Sequence, residues 1–393
     1  MQNLYTKNSI YFLLALVGFF FISVWTPQFQ KGSFTPANIS YSMPEIGNDL
    51  KGIYVSAKRA LEGKNERFLN EDERHEFDQA IGGIIHAYGP IATLMLMPFA
   101  KLSFEHVRIL LCLFSLASFF TILFLESKRF LADKDLLVFS LIISLLLLMF
   151  SPALNLLIER AQMEIFIFVA LYIFLRGFRT EMRWYHLACL SFAIHLKLWP
   201  IIFLPLFLSR KNFIKGVYVG VGAALPHLLF SPLFSFFDYL TAVKAYGEHT
   251  KNFFGGNNIS FSSFLFRFTK IHWVVWTSLI FAGLTFLQIK FFSKEQNSQR
   301  NISNKELPFW ICLCFGMIIT GCEFQYVLVS LTLLVPYLLA NTEDKKQAFL
   351  LGLIFCAFTY DTVDYGYMKS ILIFLLGLWL TRDFVRMSQK LRG

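Results

Sequence analysis

Asp49 stands in Pro44-Glu45-Ile46-Gly47-Asn48-Asp49-Leu50-Lys51, shortly after the first strongly apolar segment. A lone carboxylate so placed can take the proton from a hydroxyl while that hydroxyl attacks an electrophile. Two cations hold equally unusual positions. Arg160 lies in Ile158-Glu159-Arg160-Ala161-Gln162-Met163-Glu164, and Lys197 in Ile194-His195-Leu196-Lys197-Leu198-Trp199-Pro200. Facing lipid, such a charge costs roughly 2.5–3.5 kcal/mol, so a polar task is expected of each. Arg grips a phosphate with two parallel bonds and Lys serves as a point charge. Together they suit the stabilisation of a departing phosphate.

Plainer roles compete with each of these. Asn48 or Asp49 can cap a helix, Arg160 and Glu164 can pair along one, and Lys197 can snorkel to an interface. Glu323 is a further charge between two apolar segments. His195 beside Lys197 either caps the turn or faces a substrate. Tyr88-Gly89-Pro90 fits a helix start, with proline fixing the first turn. Gly255-Gly256-Asn257-Asn258-Ile259-Ser260 offers hydrogen-bonding groups, as a surface turn also would. The chain has no P-loop, no Gly-rich dinucleotide fingerprint, no HExxH and no GxSxG. Cys312 and Cys314 point to different sides of a helix, which argues against a metal site.

The elements that must carry these residues are membrane helices. Of 393 residues, 56% are hydrophobic, 18% aromatic and only 16% charged, with a mean hydropathy of +0.54. Soluble domains carry about a quarter charged residues. The expected fold is an all-α polytopic membrane protein with about twelve spanning helices. They fall near 9–25, 105–125, 136–151, 162–176, 185–196, 198–209, 215–231, 273–292, 308–322, 325–340, 347–360 and 367–381. The net charge of +10 sits in Lys and Arg clusters between apolar runs, the pattern of orientation signals rather than of nucleic-acid binding. Most cysteines fall within the apolar runs, so no disulfide framework is expected.

The same charges set an orientation. With both termini cytoplasmic, Lys128, Arg129, Lys134, Arg176, Arg179, Arg183, Arg210 and Lys211 all fall inside. The first outer loop, 26–104, then holds three short elements. An amphipathic helix opens at Asp49, with Leu50, Ile53, Tyr54, Ala57 and Leu61 on one face, a pattern suited to lying at the lipid–water boundary. A charged helix spans 69–81, and 91–100 is too short to cross and is expected to be juxtamembrane or re-entrant. Nearly all the unusual polar residues are outside, and no sequence repeat is visible.

The order of parts resembles the C-type superfamily of integral-membrane glycosyltransferases, and most closely family 87. The resemblance rests on an acidic residue soon after the first spanning helix, Tyr-x-Pro before an apolar juxtamembrane helix, Arg-x-Gln before a spanning helix, and Lys-x-x-Pro in a short hairpin. It covers residues 1–231, the shared catalytic module, and leaves 232–393 as the variable part. Ala161, Gln162, Met163 and Glu164 depart from the family's Gly-Gln-x-Asn.

The resemblance implies a polyprenyl-phosphate-mannose donor and transfer to a lipid-linked or glycan acceptor. Asp49 would be the base, and Lys197 and Arg160 the donor-phosphate ligands. Tyr88, Gln162, His195, Asn257, Asn258 and Glu323 would contact substrate. Direct displacement would invert the anomeric centre; no metal or other cofactor is expected. The implied place is a bacterial inner membrane, with the site on the periplasmic face. Two rivals are a lipid or sugar transporter or flippase, which favours repeated halves and midplane charges, and a glycan polymerase or ligase.

Overall fold

The computed structural model describes residues 48–65, 68–72, 88–129, 157, 161–208, 212–230, 237–241, 265, 269, 273–287, 302–319, 325–334, 337 and 366–390. The regular elements among them are helical. They are α1 (Asn48–Leu61), α2 (Pro90–Leu96), α3 (Phe104–Ser127), α4 (Glu164–Arg179), α5 (Trp184–Leu196), α6 (Phe213–Leu229), α7 (Trp273–Leu287), α8 (Ile302–Ile319) and α9 (Gly366–Lys390). Three 3₁₀ helices join them, at Met97–Phe99, Trp199–Phe207 and Gln325–Leu333. The spans expected at 9–25, 136–151 and 347–360 and most of the 69–81 helix lie outside the described residues.

Only α3 is, among these, long and apolar enough to cross a bilayer by length and composition. Its 24 residues reach ~36 Å, against a hydrocarbon core of ~30 Å. Shorter apolar helices occur at Pro90–Phe99, Phe213–Leu229, Val275–Leu287 and Glu306–Met317. The count of about twelve is therefore not reproduced. In particular, the span expected at 198–209 is a 3₁₀ helix of 9 residues, with Pro200 in its first turn and Pro205 inside it. Proline cannot donate a backbone hydrogen bond, so Pro205 removes a rung of an α-helix there, whereas Pro200, in the first turn, gives up only a donor that no helix would pair.

Cross-contacts give the helices their directions. α3 and α4 run the same way: Phe114 stacks on Phe166 at 4.9 Å, and Glu126 meets Arg179 at the far end. α5 returns, and the 199–207 segment turns back along α4, with Trp199 at Glu164 and Phe203 at Phe174. α6 then runs beside α5, Val219 level with Ser191 and Ala223 with His195. α8 runs opposite to α4, from Glu306 at Arg179 to Gly316 at Trp199. The bundle thus has an Arg179 end and a Glu164 end. One buried core, with Phe168, Phe174, Phe203, Phe309 and Trp310 among its members, joins them. Lys128, Arg129, Arg176, Arg179 and Arg183 all fall at the Arg179 end, as the charge pattern requires.

α1 needs a correction. Leu50, Ile53, Tyr54 and Ala57 are buried by protein, while Leu61 is 51% exposed. The apolar face lies on α2 and the turn after it rather than floating in lipid. Tyr54 donates to the Leu102 carbonyl at 2.5 Å and packs on Phe104. The periodicity was right about which face is apolar; a neighbouring short helix covers it, because a helix only two turns long has its own apolar side to bury.

Candidate active site at the Glu164 end

Three chain reversals build this end. Gly89 caps α2 in extended conformation, and Pro90 starts the helix. Ala161 turns the chain into α4 with φ of 48°, a left-handed conformation that costs an L-residue roughly 1–2 kcal/mol. Glycine would adopt it without that cost. α5 ends at Leu196, and Lys197 is extended (φ −148°, ψ 140°). The expected hairpin turn is there.

Two buried polar contacts lie beside one another. Tyr88 donates its phenol to Gln162 Oε1 at 2.6 Å, and the Gln162 backbone N–H reaches Leu157 O at 3.0 Å. Gln162 is buried, and its Nε2 has no hydrogen-bond partner among the described residues. Such an orphan donor is costly unless something polar comes to it. Glu164, fully buried, accepts from the Trp199 indole at Oε1, 3.0 Å away. Its Oε2 lies 3.4 Å from Lys197 Nζ, whose side chain is 23% exposed. Arg160, the other group that could pair with Glu164, lies outside the described residues; the described partners of Glu164 are Trp199 and Lys197, which follow α5.

His195 is 2% exposed. Its Nδ1 lies 2.9 Å from the Ala223 carbonyl, and its Nε2 accepts the Ile91 N–H at 3.2 Å. A carbonyl on one side and an N–H on the other select the neutral ring protonated at Nδ1. The expected substrate contact is thus a pin joining α2, α5 and α6. His227 and Tyr239 extend it as a ring column, with centroids 4.6 Å apart at each step. Nearby, Asn65 after α1 bonds Asp238 at 2.9 Å, so the segment after α6 meets the segment after α1.

The structure therefore brings Tyr88, Gln162, His195 and Lys197 to one end of the bundle. α1 packs on α2, whose first N–H is the one His195 holds. Asp49 lies in the first turn of α1, as its position predicts, but its side chain is outside the described residues, as are Arg160, Asn257, Asn258 and Glu323. Sequence reading missed Trp199 as the indole that orients Glu164, and Gly89 as a contact point. The one signal for Gly89 was its place before proline.

Residues 86–301 match glycosyltransferase family 87. The match covers more than half of the chain and takes in Tyr88, Gln162, Glu164, His195 and Lys197: the chain belongs to glycosyltransferase family 87. It is accordingly a transferase that takes a sugar from a donor to an acceptor. No curated protein and no solved structure matches it.

Proposed function

We propose that the chain transfers a sugar, mannose in the first instance, from a polyprenyl-phosphate donor to a lipid-linked or glycan acceptor at the periplasmic face of a bacterial inner membrane. The acceptor hydroxyl attacks the anomeric carbon directly, so the configuration inverts. Asp49 takes the hydroxyl proton. Lys197 and Arg160 stabilise charge on the departing lipid phosphate. Tyr88 and Gln162 form part of the sugar wall, and the Gln162 Nε2 donor suits a sugar hydroxyl. Asn257, Asn258 and Glu323 are assigned to the same wall, and His195 to holding it together.

The observation that carries this reading is convergence. Segments far apart in the chain, 88–91, 161–164 and 195–199, meet at one end through buried polar contacts, and the basic clusters gather at the other. The membrane setting is supported by exposed large apolar side chains along two helices, Ile109, Leu110 and Leu113 on α3 and Ile214, Val217, Val221 and Leu228 on α6. Patches of that kind suit lipid rather than water.

The test is to incubate the purified protein with radiolabelled polyprenyl-phosphate mannose and a lipid extract. Wild type should transfer label and Asp49→Asn should lose at least ~100-fold, the size of a general-base contribution. Equal transfer by the variant removes Asp49 as base. Transfer from a nucleotide sugar without any lipid carrier overturns the donor assignment.

A further inference from the structure

Glu164 is a buried carboxylate held from two sides by different chemistry. The Trp199 indole, itself 1% exposed, donates to Oε1 at 3.0 Å, a neutral hydrogen bond that orients the carboxylate. Among the described residues Oε2 has no hydrogen-bond partner, and it faces the Lys197 ammonium at 3.4 Å. The Lys197 side chain is 23% exposed, while the Glu164 carboxylate is fully buried. A phosphate drawn to Lys197 therefore meets the ammonium with a fixed negative charge behind it.

We propose that Glu164 sets the charge preference of the phosphate subsite, disfavouring the dianionic polyprenyl phosphate product relative to the monoanionic donor and so hastening product release. This rests on the reading of Lys197 as the donor-phosphate cation. In the transfer step the bond between the anomeric carbon and the phosphate oxygen breaks, and its electron pair leaves with the oxygen. The acceptor oxygen forms the new bond and its proton goes to the base. The lipid phosphate thus changes from a diester with one negative charge to a monoester that carries nearly two at neutral pH. Repulsion by a carboxylate on the order of 6 Å away acts on each added charge. At a partly wet protein rim it is worth on the order of tenfold in affinity per charge. Glu164 is in these terms a specificity residue that need not touch the reacting atoms.

Farnesyl phosphate and its methyl ester differ in the charge of the phosphate and carry no sugar, so they isolate the effect. Both are titrated against the full chain in detergent, as wild type, Glu164→Gln and Lys197→Met. Glutamine keeps an amide oxygen for the Trp199 indole, removes the charge and sets an uncharged amide NH2 where Oε2 faced Lys197. Should it not fold, Glu164→Asn removes the same charge in a smaller volume. The expected result is that Glu164→Gln tightens farnesyl phosphate on the order of tenfold more than it tightens the methyl ester. In turnover, donor KM and kcat fall together and inhibition by farnesyl phosphate strengthens. An unchanged ratio of the two affinities overturns the proposal, whatever happens to thermal stability, because a purely structural role shifts both ligands alike. If Lys197→Met binds both ligands as wild type does, the phosphate assignment of Lys197 falls and takes the proposal with it. If Lys197→Met weakens both while Glu164→Gln leaves the ratio alone, only the role of Glu164 fails.

Discussion

Gly89 shows how a single missing side chain sets the geometry of this site. A Cβ there would run into the His195 carbonyl oxygen and stand 2.6 Å from His195 Nε2. The obstructing atoms belong to a backbone and to a ring held on both nitrogens, so rotation cannot relieve the overlap. Gly89→Ala should cost about 1–3 kcal/mol, as overpacking does, and should push Tyr88 away from Gln162. Misplacement by 1 Å near reacting groups costs about 100-fold in rate. Thermal unfolding in detergent and the transfer assay measure the two effects. A variant with wild-type melting and turnover would mean that α2 and α5 are not in rigid contact. Ala161 makes a related point: the chain keeps a left-handed turn into α4 with an alanine, so local strain is carried by packing around it.

Among elements, the Arg179 end is held by charge rather than by apolar packing alone. Glu126 at the end of α3 and Glu306 in α8 are buried, and Arg179 of α4 bonds both at 2.5–3.1 Å. Arg129 joins Glu306 at 2.6 Å and Glu126 at 3.2 Å. Two arginines and two glutamates leave no net charge, which is why such a group can be buried at all. It also ties α8, from the part of the chain beyond 231, to α3 and α4. Removing one member leaves an uncompensated charge in a dry place, so Glu306→Gln should destabilise by about 3–5 kcal/mol. A combined Glu306→Gln, Arg129→Gln variant restores the balance, and its loss should be smaller than the two single losses added together. Chemical denaturation of the four proteins gives the comparison; strict additivity would mean that the group is not coupled. Mid-chain, Gly177 lies 2.9 Å in Cβ terms from His186 Cγ, letting α4 and α5 approach closely just before their turn.

At the scale of the molecule, the two ends differ in chemistry. One gathers Lys128, Arg129, Arg176, Arg179 and Arg183; the other gathers Tyr88, Gln162, Glu164 and Lys197. The bias in positive charge predicts that the first end is cytoplasmic. Ser103 and Thr180 are exposed at opposite ends of the bundle, and the described cysteines Cys112, Cys189, Cys312 and Cys314 form no disulfide and are at least half-buried. In a Cys322→Ser, Cys356→Ser background, a membrane-impermeant maleimide applied to intact cells should label Ser103→Cys at once, and Thr180→Cys only after permeabilisation. The opposite order would place the phosphate subsite on the cytoplasmic face and overturn the proposed orientation.

The amino-acid sequence by itself determined the helical class, the start of α1 within a residue of Asp49, the Pro90 start of α2, the turn at Lys197 and the gathering of basic residues at one end. Each of these follows from local physics: hydrophobic period, the conformational limits of proline, and the cost of charge in an apolar run. Only the tertiary structure decided the partners. That Glu164 faces Lys197 and Trp199, that Tyr88 reaches Gln162, that His195 clamps α2 to α6, and that α1 is covered by protein all depend on which helices lie side by side. Spacing along a chain determines what shares a face. What that face meets is set by packing between segments dozens of residues apart, and no local pattern encodes it.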